Sequence, residues 1–400
     1  MTDFTLLPDL AARALGGGVI AANDEFFAEK ENLLRPAAAV FQPHTFGHKG
    51  QIMDGWETRR RRPEFEDGDH DWAIVRLGTP GVIHGVTVDT AHFTGNYPEH
   101  CALEACAVEG HPTPEEIAGV TWVPIVPKSA LRGDSEHRFP VDVEQRFTHV
   151  RLRIFPDGGV ARLRVHGQVV PDPRFLTTTA FDLAAVENGG QVVDASNRFY
   201  SPPNNVLAPG LPRVMGDGWE TSRRRDDGND WIVAQLAARG RITHATIDTS
   251  YFIGNSPGSA RLQGIDATGG DLDAPDAWFD LLPRTRLQRD TPHRFRVTTT
   301  QPVTHIRLDI HPDGGLARLR LFGSPTPDGL GALGLRWFDL LPPDQASAVL
   351  TAECGAPADW ARDFAAARPF SDESGLHKAL EGADPLTASR VRGLLGVNPA

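Results

Sequence analysis

Lysine is scarce in this chain. Of 40 basic residues only Lys30, Lys49, Lys128 and Lys378 are lysines, and the rest are arginines. A biased codon supply accounts for many surface arginines, but guanidinium also suits bidentate recognition of carboxylates. Cysteine is nearly absent too. Cys101, Cys106 and Cys354 are an odd number without framework spacing, which fits a reducing cytoplasm and small packed residues rather than nucleophiles. No run of 18 apolar residues exists, so no membrane-spanning helix is expected, and the N-terminus lacks a secretory pattern. A formal charge of -12 argues against a general binder of nucleic acid or anionic membrane. No G-x-S-x-G, P-loop or dinucleotide fingerprint occurs. His44 and His48 are four apart, but Pro43 and Gly47 break any helix there, so they do not read as a zinc site.

What is present is repetition. Asp54-Gly55-Trp56-Glu57-Thr58 returns as Asp217-Gly218-Trp219-Glu220-Thr221, and arginines follow each copy. Two acids, an aromatic and an arginine cluster do not suit a core, where unpaired charge is costly. The match extends through Asp71-Trp72 and Asp230-Trp231, then Phe93 to Pro98 and Phe252 to Pro257. It ends at Pro156-Asp157-Gly158-Gly159 and Pro312-Asp313-Gly314-Gly315. The chain therefore reads as two domains of about 150 residues each.

Each unit reads as strands. Thr148 to Phe155 and Ala161 to His166 alternate polar and apolar, with turn chemistry at Asp157-Gly158-Gly159 between them, which predicts a hairpin. Trp72 to Leu77 and Val82 to Thr90 are further strands. Many short strands with Gly, Pro and Asp punctuation predict an all-β fold of two antiparallel sandwiches or jelly rolls. Boundaries are expected near Pro171-Asp172-Pro173 and Pro325 to Gly329, giving domains 1–172 and 173–328 and a tail 329–400. The tail is Ala- and Leu-rich at helical spacing over 344–354, 359–367, 375–381 and 386–395.

The cassettes carry the candidate chemistry. Arg59, Arg60, Arg223 and Arg224 could grip a carboxylate through paired N–H donors, with Asp54, Trp56, Asp217 and Trp219 beside them. Glu57 and Glu220 could accept from amide or urea N–H groups. The competing reading is an Arg–Glu network that only pins the loop. Asp89 and Asp248 end strands, and Asn96 and Asn255 sit in glycine loops. These asparagines offer a donor and an acceptor that match a ureido group, or they make turns. His149 and His305 read as hydrogen-bonded strand residues rather than bases.

These motifs resemble the duplicated repeat of the allantoicase family (allantoate amidinohydrolase), over roughly Gly16 to Gly323. The resemblance implies two galactose-binding-like jelly rolls and the hydrolysis of allantoate to ureidoglycolate and urea, a step of purine-nitrogen salvage. Recognition then falls to Arg59 or Arg60 with Asn96, and acid–base work to Glu57, Asp89 or His92. The second unit offers Glu220, Asp248, Arg223 and Asn255, but has Tyr251 for His92 and Gly258 for Glu99. Unequal halves are therefore expected. These motifs name no cofactor for certain, and a divalent metal is possible. The partner is a small-molecule substrate, and a homo-oligomer is expected. Trp337 to Pro342 and Ala367 to Phe370 are similar to the start of an OHCU decarboxylase, whose His-Pro pair is here Asn398-Pro399. Such a tail would be catalytically silent. A non-catalytic tandem ligand-binding module is the rival function.

Overall fold

A computed structural model describes residues 3–62, 68–176, 180–268 and 272–397. Asn398 and Pro399 lie outside the described residues. The chain divides into two compact units, Met1–Val169 and Val170–Ala400, the helical tail clustering with the second.

The first unit opens with β1 (Gly18–Ala22), a small hairpin of β2 (Phe46–Gly47) and β3 (Gly50–Gln51), and the two-residue β4 (Trp56–Glu57). There follow β5 (Asp71–Asp89), β6 (His100–Cys106), the single-turn α1 (Pro114–Ala118), β7 (Val123–Ala130) and β8 (Glu136–Pro140). The unit closes with β9 (Arg146–Phe155), β10 (Gly159–Val160) and β11 (Arg162–Val169). All pairings are antiparallel.

β5 organises the unit. Its first half pairs with β1 and β9, and its second half with β8 and β11. The register breaks between Arg76 and Gly81, where Gly78-Thr79-Pro80-Gly81 bends the strand. One strand thereby serves two sheet faces, and the two expected strands are one. Val86, Val88, Leu152, Ile154, Leu163 and Val165 fill the space between and are fully buried. Each such side chain contributes about 1.5–3 kcal/mol by leaving water.

The Pro156–Gly159 segment is a turn, as expected, but not a hairpin. β9 is flanked by β5 and β6, whereas β11 pairs with β5, so the turn carries the chain from one partner set to another. Gly158 takes φ 136°, which glycine tolerates. At Gly159 an added Cβ would stand 2.0 Å from the Phe93 ring, so the site admits no side chain.

The second unit repeats this plan. Its strands are β12 (Phe181–Asp182), β13 (Gln191–Ala195), β14 (Trp219–Glu220), β15 (Asp230–Asp248) and β16 (Ser259–Ile265). They continue as β17 (Phe279–Arg286), β18 (Pro292–Arg296), β19 (Val303–His311), β20 (Gly315–Leu316) and β21 (Arg318–Pro325). β15 is the bent strand here, pairing with β13 and β19 before the bend and with β18 and β21 after it.

Five helices follow: α2 (Pro327–Leu340), α3 (Pro343–Cys354), α4 (Ala358–Ala366), α5 (Glu373–Ala379) and α6 (Pro385–Leu395). α2 occupies the expected boundary. Thr326 caps it and Pro327 stands at its first position, where a missing N–H costs nothing. Gly334 lets the Leu395 backbone approach, because an added Cβ would lie 2.1 Å from that carbonyl oxygen. Arg239, at the bend of β15, clasps Asp266 and Asp328 at once. Among the described residues no helix is long and apolar enough to cross a membrane.

Candidate functional site

The Asp-Gly-Trp-Glu-Thr cassette sits where β4 meets β10. Glu57 lies opposite Gly159 and Trp56 opposite Val160. On the other side the Phe27 and Ala28 amides donate to the Glu57 carbonyl oxygen at 3.1 and 3.2 Å. Thr58 is buried and exchanges hydrogen bonds with Gly158. The backbone of Glu57 is thus fixed from both flanks. Asp89, at the end of β5, lies opposite Arg162 on the same returning segment that pairs with Glu57. Topology therefore brings both carboxyls to one end of the unit.

The cassette residues divide by role. Trp56 is fully buried and donates Nε1–H to the Asp24 carbonyl at 2.8 Å, so its ring belongs to the core and shows no surface to a ligand. Trp219 does the same with Asn197 at 2.9 Å. Asp54 accepts from Arg162 at 2.7 Å, Arg35 at 2.9 Å and the Val40 amide at 3.0 Å. Burial alone would raise its pKa, but Arg162 and the Val40 amide hold it below the usual carboxylate range. Asp217 is instead held by Arg213. Both aspartates are occupied by structural bonds.

Glu57 is different. It is half-buried, and Asn96 donates Nδ2–H to its Oε1 at 2.8 Å. No cation among the described residues pairs with it. Burial pushes its pKa up, and the Asn96 amide offsets part of the rise. Asp89 is raised as well, first by burial and then by nearby Glu136, against the Ala91 amide that it accepts at 2.8 Å. Asn96 therefore holds the acid, a role its loop position did not reveal. In the second unit Asn255 grips Glu220 in the same way at 2.6 Å, and the Asp248 carboxylate accepts from the Ser250 amide at 2.8 Å.

The arginine run alternates. Arg59 pairs with Asp24 at 2.6 Å and stands over the Phe26 ring. Arg61 turns inward onto buried Asp71 at 2.6 Å, while its amide donates to Asp157. Arg60 is exposed and has no ion pair with any described residue. Arg223 is its exposed equivalent. Arg224 matches Arg61 and is likewise committed, to Asp226 and Asp230. Ser222 replaces Arg59. Sequence spacing could not distinguish these arginines, because Asp24 reaches Arg59 from a distant segment and several acids lie near Arg61 and Arg224 in sequence without showing which they hold.

His92 takes a left-handed backbone, φ 68°, with its amide on Asp134 at 2.8 Å. Its Nε2 lies 3.1 Å from the Ala39 carbonyl, which fixes the hydrogen there and leaves Nδ1 as acceptor. Phe41 stacks on the ring. Tyr251 holds the matching left-handed position, φ 71°, and is exposed. His149 is buried, and burial, helped by Arg76, lowers its pKa to about 4, so it is a neutral strand residue. Among the described residues no group of three His, Cys, Asp or Glu is placed to hold a metal ion.

A family model described as the allantoicase repeat matches residues 8–170 and 181–326. A protein of Nocardia farcinica named "probable allantoicase" is 57% identical over 322 residues, covering 80% of this chain and 95% of that one. One of Streptomyces avermitilis with the same name is 55% identical over 346 residues, covering 84% and 90%. The crystal structure of allantoicase from Saccharomyces cerevisiae superposes with a TM-score of 0.68 at 34% identity, covering 79% of this chain and 92% of that one.

Proposed function

Because this chain belongs to the allantoicase family, we propose that its reaction, hydrolysis of allantoate to ureidoglycolate and urea, takes place at the Glu57 site of the first unit. The observation that carries this reading is the state of Glu57: half-buried, free of any described counter-cation, and oriented by Asn96. A carboxyl committed to holding the loop would be ion-paired, as Asp54 is.

Allantoate bears one carboxylate and two ureido arms on a single carbon. Arg60, an exposed cassette guanidinium with no ion pair to any described residue, takes the carboxylate. The free Oε2 of Glu57 accepts a proton from water as the water oxygen bonds to the central carbon. The C–N bond to one ureido arm breaks, and that nitrogen receives a proton from Asp89 and leaves as urea, while His92, with Nδ1 as acceptor, can serve only as a base. Burial raises the Asp89 pKa, the direction that a proton donor needs.

The second unit keeps Glu220, Asn255, Asp248 and Arg223 but has Ser222, Tyr251 and Gly258 where the first has Arg59, His92 and Glu99. We read it as a weakened copy. The tail docks at the Arg239 bend, away from the strand end that carries Asp248, and this supports a tail without catalytic part. A cytoplasmic, closed homo-oligomer completes the reading. The test is Glu57→Gln. Urea release should fall by about 10²–10⁴-fold with folding intact, and undiminished release removes the assignment. Decarboxylation by the purified chain would remove the silent-tail reading.

A further inference from the structure

The two units differ most just before the cassette. Nineteen residues separate Leu34 from Asp54, against nine between Leu207 and Asp217. The extra length forms the β2–β3 hairpin and its stem. The stem is fastened to one wall of the site: the Ala39 carbonyl holds His92, Phe41 stacks on it, and the Val40 amide reaches Asp54. The tip reaches the other wall, where the Lys49 Nζ lies 4.9 Å from the Phe26 ring centroid. Phe26 precedes Phe27, whose amide supports Glu57. The strap therefore runs from His92 to Phe26, the residue before the one whose amide holds the Glu57 backbone.

Lys30 has Glu25 and Glu31 as partners, whereas Lys49 has no carboxylate among the described residues. Lys128 likewise stands on an aromatic ring, that of Phe155 at 4.2 Å, so what sets Lys49 apart is its place on the strap beside the cassette. Its ammonium rests on an exposed aromatic face, a weaker partner than a carboxylate oxygen. Phe46, Ile52 and Phe41 on the same strap are also exposed. In the second unit the Phe199–Tyr200 pair matches Phe26–Phe27, yet no cation stands over it among the described residues.

We propose that Lys49 is a substrate-contacting residue that leaves the Phe26 face to meet the carboxylate of allantoate beside Arg60, and that this contact belongs to the first unit alone. The inference rests on the reading that substrate sits at Glu57. Its chemistry is a point charge on a flexible stem, added to the fixed fork of an arginine. The strap supplies reach, and Lys49 remains uncommitted until an anion arrives.

The experiment is a KM-against-kcat comparison in the full chain. Lys49→Met keeps the stem and removes the charge. KM for allantoate should rise by about 10-fold or more, as expected for loss of one charge-assisted hydrogen bond, with kcat within about twofold. Lys49→Arg should recover most of the loss, and Lys378→Met, in the tail, should change nothing. The same loss should appear as weaker allantoate binding, by direct titration, when Lys49→Met is added to Glu57→Gln. An unchanged KM in folded Lys49→Met, or a kcat loss without a KM change, overturns the proposal. Should Glu57→Gln stay fully active, the site assignment fails instead. Direct titration of Lys49→Met against the parent chain still reports on Lys49.

Discussion

The first unit surrounds its cassette with Arg59, an oriented imidazole at His92 and a long strap, whereas the second has Ser222, Tyr251 and a short connection at the matching places and keeps Arg223 to Arg225. What the two share is what the turn needs. Both tryptophans are buried on a carbonyl, both threonines close on a positive-φ glycine, and both asparagines hold the glutamate. What differs lies around the acid rather than beneath it. Duplication has kept the frame and let the surroundings drift, so a repeated motif is evidence of a shared frame before it is evidence of two working sites.

The comparison breaks most sharply at the acids. If the first unit does the work, Glu57→Gln lowers urea release by orders of magnitude, while Glu220→Gln costs no more than about threefold. Equal losses would mean two working sites, and the reverse order would exchange the roles. The free arginines come next. Arg60→Ala should raise KM about 10- to 100-fold, the cost of a charged hydrogen-bond pair, and Arg223→Ala should leave it unchanged. Steady-state kinetics on matched variants decides this.

A pH profile sharpens the contrast further. The Asn96 amide stabilises the ionised form of Glu57, so Asn96→Ala should raise the Glu57 pKa further. The acidic limb of kcat/KM should then move to higher pH, whereas Asn255→Ala should leave that limb in place. The smallest effect is on stability. Asp54→Asn loses charged bonds to Arg162 and Arg35 and should cost about 2 kcal/mol in denaturant unfolding. Asp217→Asn, which loses a bond to exposed Arg213, should cost less. Because the Asp54 pKa is depressed in the fold, its contribution is present above the unfolded value of about 4 and lost as pH falls through the lower, folded value. Asp54→Asn should therefore flatten acid unfolding in that window.

The strands were legible because alternation reports a half-buried face directly, as along Thr148 to Phe155. The bend in β5 was not, since Gly-Thr-Pro-Gly reads as a turn between two strands whether the chain reverses or only folds over. α2 was hidden by Gly329, Gly331 and Gly334. These glycines lower helix propensity, and tertiary packing makes room a necessity there, as Gly334 shows against Leu395. At the site the acids were legible from the repeated cassette. The division of labour among Arg59, Arg60 and Arg61 was not, because Asp24 and Asp71 claim two of them through folding alone. Lys49 was not legible, because Lys128 shares both its rarity and its aromatic partner, and only the strap distinguishes the two.

The clasp at Arg239 bears on anyone shortening this protein to the span it shares with its relatives. The family match stops at Thr326, whose amide and hydroxyl both close on the Arg239 carbonyl while the same hydroxyl caps α2. A cut there would strand the cap without its helix and strip Arg239 of Asp328. The seam between the matched repeats and the helices that follow is thus shared property.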